Sequence, residues 1–119
     1  MNQFDKIEGI AELEENWDGY QSSSFSPVLI DNVKWILQES PNLLSDFFIC
    51  PCSGGQSIQF ELQCDKKELE IEVFEDKIVY LKVYDSDDVR DETIDEGEFE
   101  FKRDEETLKK IHNLVYWLI

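Results

Sequence analysis

The chain has 119 residues, with 28 Asp and Glu against 11 Lys and Arg, for a formal charge of −17. With 41% apolar and 13% aromatic residues it can fill one hydrophobic core, so a single domain over 1–119 is expected and global disorder is excluded. So much negative charge excludes binding to nucleic acid or to an anionic membrane through a basic patch. A basic protein partner is what it permits.

No run approaches the ~18 to 20 continuous apolar residues of a membrane span. The opening Met1-Asn2-Gln3-Phe4-Asp5 lacks the basic-then-apolar pattern of a leader, and the expected location is the cytoplasm. Acids are dense throughout, and densest from Asp85 to Glu106, where 12 of them meet only Arg90, Lys102 and Arg103. Such like-charge density predicts an acidic, mobile loop over 85–97.

From Gln3 to about Asn16, Phe4, Ile7, Ile10, Ala11 and Leu13 recur three and four residues apart, the period of one helical face. Trp17-Asp18-Gly19-Tyr20 and the serines at 22–24 break that helix. Gly tolerates positive φ, and Asp and Ser bond locally to the backbone. Packing against the core is the expected role of Trp17, with partner anchoring as the alternative. Ser26-Pro27 reads as an N-cap followed by proline in the first turn of a second helix. Its buried face is Leu29, Ile30, Val33, Ile36 and Leu37, and Pro41 stops it.

The period then falls to two. A short strand over Phe47–Cys52 precedes a Ser53-Gly54-Gly55 turn, after which Ile58, Phe60, Leu62 and Cys64 alternate with Gln59, Glu61 and Gln63. Beyond Asp65-Lys66-Lys67, Leu69, Ile71 and Val73 alternate with Glu68, Glu70 and Glu72. Past Glu75-Asp76, Val79, Leu81 and Val83 alternate with Tyr80, Lys82 and Tyr84, and Phe99 and Phe101 mark one more short strand of unassigned pairing. Asp104 caps a last helix with Leu108, Ile111, Leu114, Val115 and Leu118 inward. The fold class is therefore α+β, with two N-terminal helices, a four- to five-stranded antiparallel sheet and a C-terminal helix, the helices packed on one sheet face.

With the apolar residues turned to the helices, the open face carries Gln59, Glu61, Gln63, Glu68, Glu70, Glu72, Tyr80, Lys82, Tyr84, Glu98 and Glu100. Alternate residues on a strand lie about 6.6 Å apart and strands about 4.8 Å apart, so these carboxylates form a rigid grid. The longer spacing approaches the roughly 6 to 7 Å between adjacent phosphates of a nucleic-acid strand. A half-exposed sheet puts polar residues outside in any case. Solubility needs a net charge of only about 2 to 8, however, and the excess points to selection for a charged partner. The expected contact set is Glu61, Glu68, Glu70, Glu72, Glu98 and Glu100 with Tyr80 and Tyr84 as anchors, joined by Asp85, Asp87, Asp88, Asp91 and Glu92 of the acidic loop.

Other chemistry finds little support. Cys50, Cys52 and Cys64 are the only thiols and with His112 nominally supply four metal ligands, but Cys-x-Cys without a second pair is not a structural zinc spacing. Asp85-Ser86-Asp87-Asp88-Val89-Arg90 lacks the oxygen ligand and glycine of a calcium loop at Val89 and Arg90. There is no nucleophile with its base and no phosphate cradle, and His112 beside Ile111 fits a core margin. No catalytic residue, metal or cofactor is expected.

The segments Glu14-Glu15-Asn16-Trp17-Asp18-Gly19-Tyr20, Ser26-Pro27, Ile49-Cys50-Pro51, Gly54-Gly55, Ile58-Gln59-Phe60-Glu61 and Leu69-Glu70-Ile71-Glu72-Val73 resemble a family of small bacterial and mobile-element proteins with a Trp-Asp-Gly-Tyr loop and acidic alternating strands. The resemblance spans roughly residues 10 to 84, implies the order of elements and implies no activity. In size and charge, though not in motif, the chain is also similar to phage-encoded anti-defence inhibitors, including anti-CRISPR and anti-restriction proteins that imitate DNA. The leading expectation is a non-enzymatic inhibitor that fills the basic nucleic-acid-binding groove of a nuclease or host-defence complex. The alternative is an antitoxin or immunity protein that grips a toxin through Trp17, Tyr20 and Trp35.

Overall fold

The computed structural model describes residues 3–19, 22–40, 47–52, 54–85 and 91–119, with the backbone alone at 3, 4, 85 and 91–94. The elements run α1 (Gln3–Ala11), α2 (Pro27–Glu39), β1 (Phe48–Pro51), β2 (Ile58–Cys64), β3 (Lys67–Val73), β4 (Lys77–Asp85), β5 (Asp91–Glu100) and α3 (Glu105–Leu118). The five strands form one antiparallel sheet in chain order, each paired with the next. The class is α+β, as the periodicities require.

The helix starts follow the caps written into the sequence. Ser26 Oγ accepts from Leu29 N at 3.2 Å and Pro27 opens α2. Asp104 Oδ1 accepts from Thr107 N at 2.9 Å and starts α3, whose first-turn Glu105 and Glu106 suit its positive end. The first helix is shorter than its apolar period, ending at Ala11. The chain turns there, and Asn16 takes a left-handed φ of 62°.

The segment after α1 is built as a docked loop. Asn16 N donates to Ser22 O at 2.7 Å, and Trp17 Nε1 donates to Ser23 O at 2.9 Å with its ring 5.6 Å from that of Phe25. Ser22 Oγ accepts from Gly54 N at 2.6 Å and donates to Asp18 Oδ2 at 2.5 Å, so the loop is tied to the turn between β1 and β2. Trp17 thus packs against the core, while Tyr20 lies outside the described residues.

Phe60, Ile58, Leu69, Ile71, Val73 and Ile78 are fully buried with Ile7, Leu29, Val33, Ile36, Ile111 and Val115 of the helices. The core therefore lies between one sheet face and the three helices. Buried polar groups are matched: Asn32 donates to Glu75 O at 2.9 Å and accepts from Arg103 at 3.2 Å, and Ser40 Oγ lies 2.8 Å from His112 Nε2.

Two readings of the sequence are corrected here. The hairpin from β3 to β4 closes on Phe74 N donating to Lys77 O, and Val73 pairs with Ile78. Residues opposite each other in a sheet share a face. Ile78, Tyr80, Lys82 and Tyr84 therefore stand on the helix side, and Val79, Leu81 and Val83 on the open side, the reverse of the expected alternation. The neighbours agree. Tyr80 packs 6.3 Å from Phe99 and against the core, and Lys82 Nζ sits 5.5 Å over the ring of Trp117 in α3. The second correction concerns the acidic loop. Residues 91–97 belong to β5, which pairs with β4 from Asp85↔Asp91 to Lys77↔Glu100 through a bulge between Lys82 and Val83. Asp87 and Asp88 fall in 86–90, outside the described residues.

Candidate binding face

The register across five strands lines up the open face in rows. One row reads Phe48, Glu61, Glu70, Leu81, Glu96; the next reads Cys50, Gln59, Glu72, Val79, Glu98; a third joins Gln63, Glu68 and Val83. Down the strands these become columns: Glu68, Glu70 and Glu72 on β3, then Val79, Leu81 and Val83 on β4, then Glu96, Glu98 and Glu100 on β5. An apolar stripe thus runs between two columns of carboxylates. Val79, Leu81 and Val83 are each half-buried and none joins the core cluster.

The sheet brings together six of the expected contact residues, Glu61, Glu68, Glu70, Glu72, Glu98 and Glu100, on one face. It separates Tyr80 and Tyr84 from them. Tyr80 Oη donates to Asp95 Oδ2 at 3.2 Å on the helix side, and Tyr84 opposes Lys67 on that same side. For Asp85, Asp91 and Glu92 only the backbone is placed, at the far end of the β4–β5 pair, where Tyr84 opposes Glu92 and Asp85 opposes Asp91. Sequence reasoning missed Val79, Leu81 and Val83 as surface residues, and it missed Glu96 and the 69%-exposed Phe48. A two-residue Glu75-Asp76 turn was the signal that would have found the stripe.

The electrostatics vary across the face. At the β5 side Lys77 Nζ lies 3.5 Å from Glu98 Oε2, and Lys102 Nζ 3.7 Å from Glu100 Oε2. Around Glu70 the neighbours are acids. Partial burial raises its carboxyl above the usual value of 4.5, and the charges of Glu61, Glu68 and Glu72 raise it further. Cys50 registers the same field from β1. Its Sγ lies 3.8 Å from Glu61 Oε1, and burial, then Glu61, push the thiol up to about 11. Burial likewise raises Cys52, with Glu72 adding to the effect and a hydrogen bond with Ser57 opposing it. Ser57 Oγ also donates to Glu72 Oε2 at 2.5 Å.

Negative charge is thus concentrated around Glu70, on β2 and β3, beside the apolar strip of β4. Such a face suits cationic side chains carried by an apolar body. Among the described residues, no group of three or more His, Cys, Asp and Glu is arranged to hold a metal ion, and no helix is long and apolar enough to cross a membrane. Trp17 and Trp35, expected in the alternative reading to grip a toxin, both pack against the core, Trp35 edge-on to Phe101 at 5.6 Å. Comparison with family models, with curated proteins and with solved structures finds no match.

Proposed function

We propose that this protein acts by binding rather than catalysis, as an acidic inhibitor that lays its open sheet face on the basic nucleic-acid-binding surface of a nuclease or host-defence complex. The observation that supports it is the fixed placement of Glu61, Glu68, Glu70 and Glu72 on adjacent paired strands. Like charges held at ~5 to 7 Å repel one another. A protein that retains them against that cost gains when a cationic surface neutralises them. The contacts carrying the reading are carboxylates, with Tyr80 and Tyr84 no longer part of it.

Capture on the tagged protein, eluted by a salt gradient and repeated with a variant carrying Glu→Gln at 61, 68, 70 and 72, tests it. The expected partner is a basic nucleic-acid-binding protein that leaves at moderate salt, is displaced by duplex DNA, and is lost with the variant. A partner that the variant still retains, or that binds DNA and this protein together, overturns groove occupation. One observation favours a second reading as an antitoxin or immunity protein: the apolar stripe of Val79, Leu81 and Val83 offers contact that salt does not screen. A single small toxin retained at high salt, and released by changes in that stripe, is the outcome that selects it.

A further inference from the structure

We propose that the element this face receives is a basic amphipathic α-helix lying along β4, its apolar side on Val79, Leu81 and Val83 and its Lys and Arg residues reaching the carboxylates on both flanks. This rests on the reading of the face as the surface for a basic partner, and it names what part of that partner is bound.

The dimensions argue for a helix. The β3 and β5 columns are two interstrand spacings apart, about 9.6 Å. A helix with its side chains is about 10 to 12 Å across. A helix seated on β4 therefore sets one flank over Glu68, Glu70 and Glu72 and the other over Glu96 and Glu98. Along the strand, alternate stripe residues repeat every ~6.8 Å, and helical residues four apart repeat every ~6.0 Å. The stripe from Val79 to Val83 is about 13 Å long and takes roughly nine helical residues, so two to three apolar side chains meet it in step.

Other occupants fit less well. An extended peptide laid flat on the face leaves its own N–H and C=O groups against Val and Leu side chains without partners, whereas a helix satisfies its backbone internally. A second copy of the chain brings −17 to a face already lined with carboxylates, and nucleic acid brings phosphates; both are repelled. An apolar helix without cations partly desolvates the β3 carboxylates and supplies them no counter-charge. Lysine and arginine flanks remove that penalty and contribute charge-assisted hydrogen bonds.

The test uses the full-length protein and two labelled synthetic peptides of about 14 residues and identical composition, Leu with Lys and Arg. One places its leucines three and four apart on a single face; the other disperses them around the helix. Fluorescence anisotropy at about 0.15 M salt reads the affinities. The striped peptide is expected to bind about tenfold tighter or more, and to gain helical circular dichroism on binding. Leu81→Asn is expected to abolish that preference, and Val83→Thr and Val79→Thr, which keep a β-branched strand residue, to reduce it should Leu81→Asn fail to fold. Equal affinity for both peptides, with loss on the Glu→Gln variant, overturns the helix while leaving the acidic-face reading intact. No binding of either peptide at low salt overturns both.

Discussion

Val73 faces Ile78 across a two-residue turn, and that single pairing decides which side chains of β4 enter the core. A turn one residue longer pairs Val73 with Val79 instead and reverses every side chain that follows. Ile78 is fully buried against the helices, and Val79 is half-buried on the opposite face. Ile78→Ala is therefore expected to cost about 2 to 5 kcal/mol. Val79→Ala is expected to cost under about 1 kcal/mol. Denaturant titration of the two variants checks this, and a larger loss at Val79 would mean that the register is wrong.

The turn between β1 and β2 offers a second contrast. Gly54 and Gly55 both have positive φ, 99° and 74°. A methyl group on Gly54 meets open space, whereas one on Gly55 lands 2.0 Å from Ser23 O in the docked loop. Gly55→Ala adds a backbone collision to the conformational strain and is expected to cost about 3 kcal/mol or more. Gly54→Ala is expected to cost about 1 kcal/mol. Comparable losses at the two positions would show that the loop from Ser22 to Phe25 is not seated on this turn.

These contrasts bear on what could be read from residues alone. Ser26-Pro27 and Asp104 mark helix starts by a local mechanism, and both caps are present in the fold. The alternation in β2 and β3 sets Ile, Phe, Leu and Val against Gln and Glu, so only one assignment of faces buries the apolar set. In β4 the two alternating sets are Ile78, Tyr80, Lys82, Tyr84 and Val79, Leu81, Val83, neither of which is plainly polar. Lys82 stands on the helix side because its stem and ammonium lie over Trp117 and 3.8 Å from Asp95 Oδ2. Turn length and a partner remote in sequence made that choice. Strand β5 was hidden for another reason. Asp91, Glu92, Asp95 and Glu96 disfavour a strand locally, and pairing with β4 overrides that preference. The acidic column on β3 was legible, therefore, whereas the β5 column was legible only at Glu98 and Glu100 and the apolar stripe between the two was not.

The negative field over β1 and β2 has a chemical readout in Cys50. A thiol pushed up to about 11 holds very little thiolate at neutral pH, and thiolate is the form that alkylates. Cys50 is expected to react with iodoacetamide far more slowly than a free cysteine at pH 7.5, with a rate that climbs through pH 9 and 10. Burial is the main cause and Glu61 the next, so Glu61→Gln is expected to quicken the reaction by a few-fold without matching the free thiol. Peptide mapping by mass spectrometry separates Cys50 from Cys52 and Cys64. A rate for Cys50 that is unchanged by Glu61→Gln would remove the carboxylate from its surroundings.

Glu70 and Asp104 carry opposite signatures of acidity. Glu70 is raised by partial burial and by Glu61, Glu68 and Glu72, so its proton binds more tightly in the folded chain than in the unfolded one. The stability tied to it is complete below the ordinary value of 4.5 and is lost as pH rises through the higher folded value. Asp104 is lowered, chiefly by the backbone N–H of Thr107, so its contribution is present above the ordinary 3.8 and is lost as pH falls through the lower folded value. Glu70→Gln is therefore expected to raise stability at pH 7 at low salt, by only a few tenths of a kcal/mol because solvent screens the partly exposed carboxylate. The gain should shrink with added salt and vanish towards pH 4. Asp104→Ala is expected to lower the melting temperature at pH 7, with the difference from the parent narrowing as the pH drops below 3.8. Thermal melts of the three proteins from pH 3 to 7 read both curves at once. A Glu70→Gln variant that loses stability at pH 7 would mean that the carboxylate is compensated in the fold, and the mutual repulsion of Glu61, Glu68, Glu70 and Glu72 on the open face would be disproved.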